Sequence, residues 1–117
     1  MKTVDKVAAV LLAVLGLIHS LLTGAYVHGQ HKEPADGAWF LGSGVALIAV
    51  GLLNFVRASR PGDRLIRISC LLSNIFAVIF CVAVFHLLGS HIMEAPQAIL
   101  VAALVVVELV FSAVPNR

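Results

Sequence analysis

The sequence predicts an all-α integral membrane protein: one domain, residues 1–117, folded as an up-down-up-down four-helix bundle. Three observations predict it. The 117 residues are 61% hydrophobic and only 12% charged, against roughly 45–50% and about 25% in soluble domains. The apolar residues fall into four continuous runs, each near the ~20 residues that a bilayer-crossing helix needs. The connections between runs are short, which makes successive helices antiparallel neighbours. Disorder is excluded by the apolar content. A membrane β-barrel would show ~10-residue alternating segments rather than unbroken runs.

The first span is read over residues 7–27. Residues 1–26 have the basic start and apolar stretch of a signal peptide, but the run is longer than the usual 7–15 residues and no small-residue cleavage site follows. The helix is therefore expected to be retained. Pro34, Asp36 and Gly37 then break the chain, and the second span is read over 38–56. Pro61, Gly62 and Asp63 precede the third, over 65–88, which Gly89 can terminate. Pro96 suits the first turn of the fourth, over 96–114, because a proline there lacks only an N–H that has no helical acceptor. Pro115 stops it. Tyr26 and Trp39 fall where an interfacial aromatic belt belongs.

Of the eight Lys and Arg residues, all except Lys32 (that is, Lys2, Lys6, Arg57, Arg60, Arg64, Arg67 and Arg117) lie on the side of the two termini. Such a bias places both termini in the cytoplasm of a multi-pass protein of the inner (plasma) membrane. A dual-topology insertion needs a more even split. The Arg57–Arg67 stretch is also basic enough to meet anionic headgroups, though topology explains it first. The net charge of +2 gives no support to nucleic-acid binding. Cys70 and Cys81 share the third span, ~16 Å apart along the axis, too far to bridge each other.

All five histidines fall on the outer side of this arrangement. His28, His31 and His91 lie in the outer loops with Glu33, Asp36 and Glu94. Imidazole and carboxylate are transition-metal ligands, so these three histidines are candidate metal ligands, although no H-E-x-x-H pattern is present. His19 lies deeper, in the first span. His19, Thr23 and Tyr26 share one helix face, with Gly16 extending it inward and permitting close approach of a neighbour. His86 stands at a similar level in the third span. His19 and His86, with Thr23 and Tyr26, are candidates for binding a haem, a metal or a quinone across the bundle. The competing reading gives each histidine one structural hydrogen bond.

Glu108 is the carboxylate inside the predicted spans. A charge there is costly, so it needs a partner or a proton. Asn54, Ser73 and Asn74 lie at similar depth, and Lys6 and Arg67 can reach toward it from the boundary. Glu108 either binds a proton or cation and drives exchange, or is held by the amides and fixes packing. In the second span, Gly42, Ala46 and Ala49 keep one side small, and Gly44 and Gly51 another. These sides suit internal packing or a dimer seam.

No phosphate loop, nucleophile elbow or other catalytic motif occurs, and nothing points to an enzyme. The leading expectation is a small membrane protein that binds a ligand or cofactor in its outer half. The alternatives are a proton-coupled small-molecule transporter using Glu108, and a structural or accessory subunit of a homo-oligomer or larger membrane complex.

Overall fold

A computed structural model describes residues 2–29 and 33–114. The order of elements is α1 (Lys2–Leu21), α2 (Thr23–Gly29), α3 (Pro34–Ser59), α4 (Arg64–Leu88), a 3-10 helix (Gly89–Glu94) and α5 (Pro96–Ala113). α2 continues α1 with little interruption. Leu22 N–H donates to the Ile18 carbonyl at 3.0 Å, and Tyr26 N–H donates to that of Leu22 at 2.9 Å. The molecule is thus four long helical rods packed antiparallel, each apolar enough to cross a membrane. Its extents are 50 × 26 × 21 Å, and the long dimension exceeds the ~40–45 Å of a bilayer with its headgroups. Large apolar side chains point outward along the rods, among them Leu17, Leu21, Phe76 and Leu87. In water this surface would be untenable; in lipid it is solvated.

The first two rods run past the expected spans at both ends, whereas α4 and α5 match theirs to within a residue. Pro34, Asp36 and Gly37 do not precede α3 but form its first turn, a correction to the expected break. Proline at the first helical position gives up no helical bond, and Asp36 favours the positive end of the helix dipole. At the start of α4, Asp63 caps by accepting from Ile66 N–H at 3.1 Å. Gly89 ends α4 with φ of 52°, a left-handed value that glycine adopts without penalty. Pro96 opens α5 as expected. Pro115 and Arg117 lie outside the described residues.

Around the bundle the order is α1, α3, α4, α5 and back to α1. α1 and α4 are therefore diagonal partners. The closest packing joins α1 to α3. Gly37, Gly44, Gly51 and Ala58 recur every seven residues on α3 and all are buried. The three glycines face Ala9, Ala13, Gly16, Ser20, Thr23 and Val27 of α1 and α2, which alternate in steps of four and three. A seven-residue repeat of small groups gives a left-handed seam with the backbones in near contact. A Cβ built on Gly51 would lie 2.6 Å from the Ala13 nitrogen, and one on Gly16 2.6 Å from the Gly44 carbonyl oxygen. Gly42, Ala46 and Ala49 instead lie exposed on the opposite side. The Gly44–Gly51 side is thus the internal seam.

Candidate functional site: a buried charged centre

The end of the bundle where α1 begins and α5 finishes holds the most deeply buried polar groups. Asp5, Asn54, Arg57, Asn74, Glu108 and Ser112 are all 3% exposed or less. Each rod contributes: Asp5 from α1, Asn54 and Arg57 from α3, Asn74 from α4, and Glu108 and Ser112 from α5. Asn54 and Arg57 are three residues apart and share one face of α3; Glu108 and Ser112 are four apart and share one face of α5.

Arg57 is the hub. Its Nη2 donates to Asp5 Oδ1 and, at 2.9 Å, to Glu108 Oε2. Its Nη1 donates to the Phe111 carbonyl at 3.1 Å and its Nε to Asn54 Oδ1 at 3.3 Å. The amides form a second layer. Asn54 Nδ2 donates to Asn74 Oδ1 at 2.8 Å, and Asn74 Nδ2 returns a bond to Asn54 Oδ1 at 3.0 Å. Asn74 Nδ2 also donates to Ser112 Oγ at 3.3 Å. Glu108 Oε1 is buried without a hydrogen-bond partner among the described residues.

This geometry corrects the expected surroundings of Glu108. Asn54 and Asn74 do belong to the cluster, but they bond each other rather than the carboxylate. Ser73 is only half-buried and its hydroxyl has no bond among the described residues; Ser112 takes that place. The basic partner is neither Lys6 nor Arg67 but Arg57, whose aliphatic stem lets it turn inward from the end of α3. Lys6 stands over the Phe55 ring instead, 5.9 Å from its centroid. Two carboxylates thus converge on one nitrogen of one guanidinium. With both ionised, the centre carries one negative charge too many for its single base, in a place closed to water.

The far end of the bundle is organised by rings. Phe40 of α3 is stacked between His19 of α1, at 3.7 Å between centroids, and Tyr26 of α2, at 4.4 Å. The Ser43 hydroxyl has one hydrogen and gives it to the Phe40 carbonyl at 2.7 Å. Its 2.9 Å bond with His19 Nε2 is therefore donated by the imidazole N–H. The structure brings His19 and Tyr26 together through Phe40, and places the Ser20 and Thr23 hydroxyls nearby, buried and unpartnered among the described residues. His86, on the diagonal helix, is exposed on the outside of the bundle. It does not face His19 across the core. His28 and His91 are exposed at the ends of α2 and in the 3-10 helix. His31 and Lys32 lie outside the described residues, as does the side chain of Glu94. Among the described residues, no group of three or more His, Cys, Asp or Glu is placed to hold a metal ion.

Sequence reasoning missed Asp5 and misassigned Arg57. Asp5 sits in a polar start that reads as a solvated tail, and Arg57 heads a basic run that reads as a topology signal. The available clue was the spacing of Asn54 and Arg57, which puts both on the face of one helix. No family model matches the chain, and neither a curated protein nor a solved structure matches it.

Proposed function

We propose that this multi-pass membrane protein is a proton-coupled carrier of a small molecule, with the Arg57–Asp5–Glu108 centre as its proton site. One observation carries the reading: a single buried guanidinium faces two buried carboxylates. An uncompensated charge in a low-dielectric interior is expensive. One proton shared by the two acids balances the centre, and loss of that proton leaves a charge that favours opening the bundle to water. Because all four rods contribute to the cluster, the proton state is tied to how the helices pack. Such a link between a titratable intramembrane group and a two-state bundle is what coupled transport requires. The basic bias of Lys2, Lys6, Arg60, Arg64 and Arg67 supports cytoplasmic termini, which puts this centre near the cytoplasmic surface.

Glu108→Gln is the test. The amide keeps an oxygen for Arg57 and leaves the centre neutral with Asp5 ionised, so the variant should fold. Wild type and variant are reconstituted into liposomes with an internal pH dye, and a panel of small amines and organic acids is added under an imposed pH gradient. At least one solute should drive proton movement through the wild type and none through Glu108→Gln. Identical responses in the two proteins would leave the centre as a packing lock, and the chain as an accessory membrane subunit.

A second reading is supported by the unpartnered Ser20 and Thr23 hydroxyls beside His19 and Tyr26: a small ligand held in the other half of the bundle. A chromophore or metal that co-purifies with the wild type and is lost in His19→Gln would establish it; a colourless, metal-free protein would remove haem and transition metals from consideration.

A further inference from the structure

On its lipid-facing side, the line where α1 meets α3 opens into an apolar groove of about 330 Å³. Gly51 makes its floor; Val10, Val14 and Leu17 of α1 and Leu52 and Phe55 of α3 make its walls. The groove exists because the glycine seam lets the backbones approach while the flanking valines and leucines stand outward. Toward the end where the chain begins lies a second recess, of about 340 Å³, which shares Val10 with the groove and is bordered by Lys2 and Lys6. Lys6 Nζ stands over the ring of Phe55, at the end wall of the groove. Neither lysine is in an ion pair among the described residues.

We propose that this groove holds one acyl chain of an anionic phospholipid, with the lipid phosphate at Lys2 and Lys6. Two features select that occupant. The first is length: from Lys6 to Leu17 the helix rises roughly 16 Å, and one leaflet contributes about half of the ~30 Å hydrocarbon core. The second is charge. Unpaired ammonium groups stand at the mouth of an entirely apolar trough, which is the complement of a phosphate above a hydrocarbon tail. A second copy packed two-fold on the same groove would instead bring like charges, the same two lysines, to its mouth. Basic side chains at the membrane surface each favour an anionic headgroup by about fivefold.

Delipidated protein is titrated with phosphatidylglycerol and with phosphatidylcholine of the same acyl chains, and bound lipid is read by native mass spectrometry. The wild type should retain phosphatidylglycerol at least tenfold more tightly. The Lys2→Gln/Lys6→Gln double variant should lose most of that preference, and Lys2→Arg/Lys6→Arg should keep it. Val14→Phe, which fills the groove from an exposed position, should weaken both lipids. Circular dichroism confirms that each variant is helical. Equal binding of the two lipids by the wild type overturns the proposal, as does an unchanged preference in the double glutamine variant. A dimer that Val14→Phe dissociates without loss of bound phosphatidylglycerol also overturns it, and assigns the groove to a second copy.

Discussion

Arg57 shows how much a single side chain can conceal in a sequence. Counted by position, it joins Arg60 and Arg64, which are exposed, as one more charge at the end of a span. In the structure its guanidinium meets Asp5, Glu108, Asn54 and the Phe111 carbonyl. The sequence could not reveal this because the two carboxylates are some fifty residues away on two other rods. Glu108, by contrast, was legible: a lone carboxylate in a long apolar run must be paired. Arg57→Leu should destabilise the protein strongly, by about 3–5 kcal/mol, because it leaves two acids buried without a base. Thermal unfolding in detergent would show it. Removing all three charges together, with Asp5→Asn and Glu108→Gln added, should recover most of the loss. A midpoint unchanged by Arg57→Leu would mean that the guanidinium is dispensable to the fold. Arg57→Lys should be intermediate, since an ammonium cannot supply the same planar set of donors.

At the scale of elements, local backbone chemistry made the ends at Gly89 and Pro96 and the break at Pro61, Gly62 and Asp63 legible, but it misled at Pro34, Asp36 and Gly37, which fit inside a first helical turn. The start of α1 was not legible, because an apolar run marks only the part of a helix that meets hydrocarbon, whereas Asp5 belongs to a helical turn held by tertiary contacts. The α1–α3 seam lies between these cases. Small residues on α3 are visible in the sequence on two sides, but only the complementary steps of four and three on α1 and α2 decide which side is internal. Gly51→Val should therefore lower stability by about 1–3 kcal/mol, since its new Cβ meets backbone that cannot rotate away. Gly42→Val, built into open space, should be close to neutral. Equal effects in the two variants, read as unfolding midpoints, would mean that the helices do not meet along the Gly44–Gly51 line.

For the whole molecule, the solvent and the four-rod architecture were legible because both follow from summed hydropathy and short connections. What pairs across the diagonal was not, and the meeting of His19 with His86 depended on it. Orientation is open to direct measurement. In a variant lacking Cys70 and Cys81, a cysteine placed at Gln30 should react with an impermeant external reagent and one placed at Ser59 should not; the reverse pattern would invert the protein. The charged centre also has a consequence in time. α1 is synthesised before α3 and α5, so Asp5 reaches the membrane before Arg57 does. The α1–α3 hairpin supplies Arg57 and makes a neutral pair. Glu108 arrives last, on α5, and can settle only against an arginine that is already in place. Of the four rods, α5 thus follows its partners and completes the charged centre; without it the Arg57–Asp5 pair would be balanced but the bundle open along one side.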